Sequence, residues 1–278
     1  MKYLVVNSLS NNKQIATILE DARNEMRTEF IEKDVKDIEY LSFLKQLSAE
    51  DEVVIVGGDG TINYFINAIG DYEVKNNIYL YAAGTGNDFM HAVADGAKMI
   101  LLNPYLKNLP TVEVNGMKKK FINGIGYGID GYCCEVGDKL RETTTKEINY
   151  TSIAIKGLLF HFKKVQAKVV VDGETYEFKN VWLAPSMKGR YYGGGMMIAP
   201  AQNRLDPSGK VSVVIYKTCS KMKALIVFPS IFKGQHVKHQ KMVKIFTGKE
   251  IEVTFNHPTA LQIDGETVLN VLSYKVHA

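Results

Sequence analysis

The chain has 278 residues, of which 46% are hydrophobic and 23% charged, and its formal net charge is +4. These proportions are typical of globular proteins and exclude a disordered chain, and at about 150 residues per domain the length predicts two domains. No apolar run approaches the ~18 residues that a membrane span needs, and residues 1–6 lack the long apolar core of a signal peptide. Three cysteines are too few for a disulfide framework, so we expect a cytoplasmic protein.

Residues 1–110 alternate predicted strands with predicted helices. Strands that alternate with helices are typical of a parallel sheet with covering helices, so this half is predicted to be a three-layer α/β domain. From hydrophobic periodicity, the predicted elements are a strand at 3–6, a helix at 15–30, a strand at 53–56, a helix at 62–69, a strand at 78–82 and a helix at 88–94.

From about residue 111 the apolar residues recur with a period of two, which predicts an antiparallel β domain over residues 111–278. A helical insert is predicted at residues 145–164, with an apolar stretch at 153–162 that ends in Lys163 and Lys164. The predicted strands of this half are at 111–114, 168–171, 175–178, 211–216, 250–255, 261–263 and 271–276.

The charge is divided unevenly between the two halves. Residues 1–110 contain 10 basic and 16 acidic side chains, net −6, whereas residues 111–278 contain 24 basic and 14 acidic, net +10. A basic domain suits an anionic partner such as a membrane surface or a nucleic acid. On charge alone, solvated lysines on a β-rich surface are the better interpretation. No nucleic-acid recognition motif accompanies the charge, so nucleic acid is not a predicted partner.

The first motif that suggests chemistry follows the strand at 53–56. This strand runs into Gly57, Gly58, Asp59 and Gly60, and Thr61 is placed to cap the helix that follows. Glycines let the backbone approach a bulky anion, and the N–H groups at a helix start face it with the positive end of the helix dipole. The pattern predicts a phosphate-binding loop.

A second glycine-rich segment, residues 84–88, follows the strand at 78–82. Because the carboxyl ends of parallel strands meet at one crevice, two such loops together favour a nucleotide site, although one alone would also suit a tight corner. Neither loop matches the G-x-G-x-x-G or the G-x-x-x-x-G-K-[ST] spacing.

Both loops, with three later motifs, resemble the catalytic domain of diacylglycerol kinases, sphingosine kinases and their bacterial lipid-kinase relatives. The later motifs are Phe-Ile-Asn-Gly-Ile-Gly-Tyr-Gly-Ile-Asp at 121–130, Tyr-Gly-Gly-Gly-Met-Met-Ile-Ala-Pro at 192–200 and Ile-Asp-Gly-Glu at 263–266. NAD kinases share the first motif, whereas the later three separate the lipid kinases from them. The resemblance covers nearly the whole chain and implies a nucleotide-binding α/β domain followed by a β-sandwich domain.

The resemblance also implies an ATP site in the crevice between the two domains, where the γ-phosphate passes to a hydroxyl of a lipid such as diacylglycerol. Asp59 would hold magnesium-bound water, Asp264 would accept the hydroxyl proton, and Glu266 would support Asp264 or the Mg²⁺ ion. Asp206 is a weaker candidate for a metal ligand. The implied nucleotide-binding residues are Asn7, Gly57, Gly58, Gly60, Thr61, Gly84, Thr85, Asn87 and Asp88.

Asp264 also has a purely structural interpretation. Asp-Gly between short alternating strands is the commonest hairpin signal, and residues 261–268 fit a hairpin. The tetrapeptide at 264–267 also occurs letter for letter at 172–175, where Asp172 begins it. The residues alone do not separate a catalytic base from a turn, and only the resemblance assigns the second copy to the site.

Departures from the family pattern leave other functions open. Asn7 and Ser8 stand where the family usually has Asn-Pro, and Tyr64 follows Asn63 where an acidic residue is common. The alternatives are an NAD kinase-like enzyme and a regulator that binds nucleotide or lipid without efficient transfer.

The insert suggests contact with an anionic bilayer, which would place the protein peripherally on the inner membrane face. A helix that covers the sheet explains the same apolar stretch equally well. The acceptor lipid is left open, as is a homodimer.

Overall fold

The computed structural model describes residues 1–7, 15–26, 29–83, 87–144 and 148–278. The chain divides into two compact units, Met1–Asn108 and Leu109–Ala278. Within these described ranges, no helix combines the length and apolar character needed to cross a membrane.

The first unit is built on a five-stranded sheet in the order β2-β1-β3-β4-β5, in which all neighbours are parallel except the pair β4 and β5. In chain order its elements are β1 (Lys2–Val6), α1 (Ile15–Met26), β2 (Ile31–Asp34), α2 (Tyr40–Gln46), β3 (Glu52–Gly57), α3 (Asp59–Ile69), β4 (Asn77–Ala82), α4 (Asp88–Val93), β5 (Met99–Leu101) and a short 3-10 helix (Asn103–Tyr105).

Helices cover both faces of this sheet. On one face, Ala22 of α1 belongs to a buried cluster with Leu4 of β1 and Val54 of β3. On the other face, the Tyr3 ring packs edge-on against Phe43 of α2 at 5.2 Å between centroids. Successive strand residues point to opposite faces, so a strand covered on both sides is apolar throughout, as β1 and β3 are. The predicted three-layer α/β fold is confirmed.

Four elements of the first unit, β2, α2, β5 and the 3-10 helix, were not predicted, and two helix boundaries were wrong. The helix predicted to continue to residue 30 ends at Met26, and α3 begins at Asp59 instead of residue 62. The strand β2 reads Ile-Glu-Lys-Asp, an edge strand with no apolar alternation, and β5 has only three residues. The N-terminus of α2 is capped by the Glu39 carboxylate, which accepts hydrogen bonds from the backbone N–H groups of Leu41 and Ser42 and is not among the usual capping residues.

The second unit is a β domain in which helices pack against the sheet. In chain order its elements are β6 (Thr111–Val114), β7 (Met117–Lys120), β8 (Gly124–Tyr127), α5 (Ile129–Thr143), α6 (Tyr150–Lys156), a π-helical turn (Gly157–His161), β9 (Val165–Val171), β10 (Glu174–Leu183), β11 (Ser186–Met187), β12 (Val211–Lys217), α7 (Lys221–Val227), two 3-10 helices (Phe228–Lys233 and Gln235–Lys238), β13 (Val243–Gly248), β14 (Glu250–Ile263) and β15 (Glu266–His277).

One long strand, β14, closes the sheet of this unit on itself. Its first part, 251–255, pairs with β9, its last part, 261–263, pairs with β8, and β15 runs antiparallel along both parts. Residues 250–255 and 261–263, predicted as two strands, are therefore one strand with irregular pairing between them. Alternating apolar residues fill the enclosed core, where the Tyr127 and Phe255 rings stack at 3.8 Å between centroids.

The predicted helical insert was wrong in extent. Residues 150–161 are helical, but residues 162–164 are not, and part of the predicted start, 145–147, lies outside the described residues. A 15-residue helix that was not predicted, α5, follows Gly128. The strands that were missed, β7, β8, β11 and β13, include the glycine-rich Gly-Ile-Gly-Tyr and the polar Met-Lys-Lys-Lys, both poor strand signals.

We predict that Gly131→Ala destabilises the second unit by about 1–3 kcal/mol, the usual cost of overpacking. A Cβ at Gly131 would lie 1.9 Å from the carbonyl oxygen of Ala260 and 2.2 Å from its carbonyl carbon, so helix α5 would have to move away from β14. Urea unfolding followed by circular dichroism measures the change. Glu142→Ala, an exposed substitution on the same helix, should change stability by less than about 0.5 kcal/mol. Equal stability of the two variants would contradict the close approach of α5 and β14.

Candidate functional site

The first glycine-rich loop joins β3 to α3. A Cβ on Gly57 would lie 2.4 Å from the Thr61 hydroxyl oxygen, so the helix can fold back onto the strand end only over a glycine. By contrast, a Cβ on Gly60 would meet nothing within 4 Å, and its φ is not positive. Neither local packing nor backbone conformation requires glycine at Gly60, so the start of α3 faces open space of the kind that a phosphate group can enter.

Thr61 is not the helix cap that the sequence predicted. The N-cap of α3 is Gly58, in an extended conformation, and Thr61 is the third residue of the helix. Its side chain is buried, and its hydroxyl oxygen accepts a hydrogen bond from the Asn7 side-chain amide at 3.3 Å. The structure therefore brings Asn7 and Thr61 together where β1 and β3 end.

The Asp59 carboxylate connects this loop to the next one. Its Oδ2 accepts the backbone N–H of Asp88 at 2.8 Å, and its Oδ1 accepts that of Phe89 at 3.1 Å, at the first residues of α4. Asn87 is the N-cap residue of α4, and Asp88 is buried. Gly84 and Thr85, which the resemblance implied as nucleotide contacts, lie outside the described residues.

The residues of this loop suit a magnesium ion that arrives with a nucleotide better than a metal caged by the protein. Among the described residues, no three His, Cys, Asp or Glu side chains form a cluster that could hold a metal. Asp59 is the carboxylate of this loop, and it accepts two backbone hydrogen bonds. Mg²⁺ keeps several water ligands and commonly binds through one or two carboxylates plus substrate phosphates.

Asp206 is held in a turn of its own. Its Oδ1 accepts the backbone N–H of Ser208 at 2.8 Å, which, with the positive charges of Lys188 and Lys210, holds the pKa of this carboxyl below its usual range. Two ammonium groups near the carboxylate work against a metal cation at the same place.

Asp264 occupies the turn between β14 and β15. Its backbone is left-handed, with φ 45°, and its carboxylate accepts three backbone N–H groups from the start of β8. Ile122 donates to Oδ2 at 2.7 Å, and Asn123 and Gly124 donate to Oδ1 at 2.9 Å each. The side chain is half-buried and has a fixed orientation.

The matching turn at Asp172 has the same local design. Its φ is 48°, and Oδ1 accepts the backbone N–H groups of Lys249 and Glu250 at 2.9 Å each. These bonds hold the pKa of the Asp172 carboxyl below its usual value, with the Glu250 bond as the largest cause. The hairpin interpretation is thus correct for both copies.

The two copies differ in their surroundings. Around Asp264, the side chain of Glu266 pairs with Lys119, and the Thr267 hydroxyl donates to Asp138 of α5 at 2.6 Å. The Arg204 guanidinium donates to the carbonyl of Ile122 at 2.9 Å, within the segment that Asp264 holds. The copy that begins at Asp264 is therefore surrounded by charged side chains that are hydrogen-bonded to other elements, whereas Asp172 is exposed.

The sequence analysis did not identify a role for Asp130, a buried acidic residue at the end of the motif at 121–130. Asp130, the second residue of α5, accepts a 2.6 Å hydrogen bond from the Tyr192 hydroxyl, and both side chains are buried. Burial raises the pKa of Asp130 to about 7, partly offset by the Tyr192 bond. The two residues lie in the motifs at 121–130 and 192–200, but their pairing over 62 positions has no signal in the sequence.

Comparison with known proteins now identifies the family. The model for the diacylglycerol kinase catalytic domain matches residues 2–108, and the model for the YegS C-terminal NAD kinase beta sandwich-like domain matches residues 123–274. The chain belongs to the family of the YegS C-terminal NAD kinase beta sandwich-like domain, whose model covers more than half of it. The predicted family and the predicted two-part fold class are therefore confirmed.

Individual relatives of the family agree with this assignment. The chain is 26% identical over 221 residues to a diacylglycerol kinase of Mycobacterium tuberculosis strain H37Rv, covering 76% of this chain and 69% of that protein. It is 25% identical over 235 residues to the putative lipid kinase YtlR of Bacillus subtilis strain 168, covering 77% and 73%. The fold matches a crystal structure of a putative diacylglycerol kinase from Bacillus anthracis with a TM-score of 0.71 at 16% identity, over 99% of this chain and 93% of that one.

We predict that Asp130→Asn raises stability relative to the unchanged protein as the pH rises. Because the pKa of Asp130 is raised on folding, the folded protein keeps a proton between about pH 4 and pH 7 that the unfolded chain has lost. Stability therefore falls across that window in the unchanged protein and not in the variant. Above about pH 7, the stability of Asp130→Asn relative to the unchanged protein should be on the order of 4 kcal/mol higher than it is below pH 4. Urea unfolding across the pH range measures this change.

Asp172→Asn is the matched control, since the pKa of Asp172 is shifted in the opposite direction. The stabilisation from its charged form is present above about pH 4 and is lost as the pH falls further. A difference between Asp130→Asn and the unchanged protein that does not vary with pH would contradict the buried, proton-binding state of Asp130.

Proposed function

We propose that the protein is an ATP-dependent lipid kinase that transfers the γ-phosphate to a hydroxyl group of a lipid such as diacylglycerol. The observation that carries this proposal is the joint match of both family models, which together span most of the chain, including every loop that the resemblance assigned to the site. Curated relatives over most of the chain are named diacylglycerol kinase or lipid kinase. We propose the cytoplasm as its location, with access to the inner membrane face.

The first unit would bind the nucleotide. The start of α3, with open space at Gly60, offers backbone N–H groups and a helix dipole to the phosphates. Asp59 would accept hydrogen bonds from water on the nucleotide-bound ion while keeping α4 in place. Mg²⁺ bound to the triphosphate would supply charge neutralisation, the main electrostatic need of phosphoryl transfer.

The second unit would supply the base. The three backbone N–H groups hold the Asp264 carboxylate in one orientation, as a general base within hydrogen-bond reach of its proton requires. Glu266, paired with Lys119, would steady the hairpin, because its partner anchors β15 to β7.

We predict that Asp264→Asn reduces turnover by at least about a thousandfold, whereas Asp172→Asn retains nearly full turnover. Each substitution disturbs a hairpin turn of the same kind and the same kind of backbone hydrogen bond, so each should lower stability by about 1–3 kcal/mol. Only Asp264→Asn removes the proposed base. General base catalysis contributes roughly 10²–10⁴-fold to a rate, so a loss of about a thousandfold lies within that range. The measurement is transfer of label from γ-labelled ATP to a panel of diacylglycerol, sphingoid bases and NAD.

Nucleotide binding, measured by calorimetry with ATP and Mg²⁺, completes the test. Asp264→Asn should bind ATP like the unchanged protein, whereas Asp59→Asn, which disrupts the bonds to α4, should bind more weakly. Label on NAD and on no lipid would favour the NAD kinase alternative. ATP binding without transfer to any acceptor would favour a regulator, a function that the exposed Tyr64 in place of an acidic residue motivates.

A further inference from the structure

Four large apolar side chains lie exposed near one another on the helical side of the second unit. Phe160 and Ile226 are each 73% exposed, Met222 is 63% exposed and Ile155 is 40% exposed. We call these four residues the apolar patch. Exposed apolar residues are common singly, but a group on adjoining helical segments marks an interaction surface more often than chance placement.

Hydrogen bonds join the segments that carry the patch. The Lys221 ammonium, at the start of α7, donates to the carbonyl oxygen of Leu159 at 2.8 Å, next to Phe160. The Lys164 ammonium donates to the carbonyl oxygen of Cys219 at 2.7 Å, just before α7. Met222 and Ile226 are four residues apart and share one face of α7, opposite the buried Ala224. The patch therefore lies on three adjoining segments, the end of α6, the π-helical turn and α7.

The predicted insert contributes only part of this surface. Its residues Ile153, Ala154 and Phe162 are buried against the sheet, as the interpretation of a covering helix requires. Ile155 and Phe160 point away from that core. The rest of the patch comes from α7, which the sequence did not single out.

The two chain segments that carry the patch are basic and contain no acidic residue, although the neighbouring helix α5 carries Glu135, Asp138 and Glu142. Residues 148–171 contain four lysines, and residues 207–249 contain nine lysines, without a single Asp or Glu in either range. Lys156, Lys163 and Lys223 are exposed and adjoin the patch in sequence. Apolar side chains with lysines beside them can enter the acyl region of a bilayer while the ammonium groups reach anionic headgroups.

We propose that the apolar patch docks this protein onto anionic membrane surfaces, with the side chains of Phe160, Met222 and Ile226 entering the bilayer interface. An anionic bilayer fits better than a protein partner because the surface combines separate protruding apolar tips with exposed lysines beside them. The purpose of docking, access to a lipid acceptor, rests on the proposed function, but the docking itself is measured without catalysis.

Flotation with lipid vesicles tests the proposal. The unchanged protein should float with phosphatidylcholine vesicles that contain phosphatidylglycerol, and bind vesicles of phosphatidylcholine alone at least tenfold more weakly. Phe160→Glu with Ile226→Glu should reduce binding to the anionic vesicles at least tenfold. Leu269→Glu with Leu272→Glu is the matched control, because these side chains on β15 are 50% and 47% exposed outside the patch and should leave binding unchanged.

Charge is tested separately with Lys156→Glu combined with Lys223→Glu. Each lysine near an anionic surface contributes about fivefold to binding, so replacing two of them should weaken binding at least tenfold at low salt. The loss should be smaller at high salt, where the charges are screened. Lys75→Glu with Lys107→Glu, two exposed positions in the first unit, should have no effect. Equal binding by the patch pair and its control pair would overturn the proposal, as would concentration-dependent self-association that the patch pair abolishes while vesicle binding persists.

Failure of docking and failure of the proposed function give different results. Phosphorylation of a water-soluble short-chain diacylglycerol should be unchanged in the patch variants, while phosphorylation of vesicle-embedded diacylglycerol should fall with vesicle binding. Activity on the soluble acceptor without vesicle binding would overturn docking alone. Patch-dependent vesicle binding without activity on either acceptor would support docking and overturn the kinase proposal.

Discussion

In each unit, a carboxylate that accepts backbone N–H groups fixes the backbone next to the candidate site residues of that unit. Asp59 joins the loop after β3 to the start of α4 with two such bonds, and Asp264 holds the start of β8 with three. Hydrogen bonds to a charged acceptor are shorter and stronger than neutral ones, which suits them to positioning loop backbone. The same bonds leave each carboxylate partly occupied, so these side chains are both structural supports and candidates for chemistry. For this reason a loss of activity on substitution is informative only beside a measured stability.

The two copies of Asp-Gly-Glu-Thr show how little a short motif determines by itself. Both fold into a hairpin turn with a left-handed Asp whose carboxylate accepts N–H groups from a neighbouring strand. Local turn chemistry is thus fully encoded by the tetrapeptide. What differs is the strand that each turn meets: Asp264 reaches β8, where Arg204 also binds, and Asp172 reaches an exposed strand end. A difference that depends on strand pairing over more than 100 positions cannot be read from either tetrapeptide.

The same distinction explains how far the sequence predicted the fold. Strands β1, β3 and β4 were found because burial on both faces makes them continuously apolar, and the glycines after β3 marked the loop. The missed elements have weak local signals. Two of the four residues of β8 are glycines. Helix α5 contains Gly131 because the helix lies close to β14, and hydrophobic periodicity does not reveal such a contact. The loop residues were identified, but Thr61 was wrongly predicted as the cap, because the helix begins after Gly58, three residues earlier than the apolar pattern does.

Burial also decides between interpretations that charge alone leaves open. The excess of lysine in the second unit is compatible with a merely solvated surface, and on composition that was the better interpretation. A solvated surface gives no reason for Phe160, Met222 and Ile226 to protrude together, since each exposes apolar area that the fold could have covered. The chain segments that carry these residues also contain lysines and no acidic side chain. Exposed apolar side chains and exposed lysines on one surface suit a partner that is both apolar and anionic. A lipid bilayer has both properties within a few ångströms of depth.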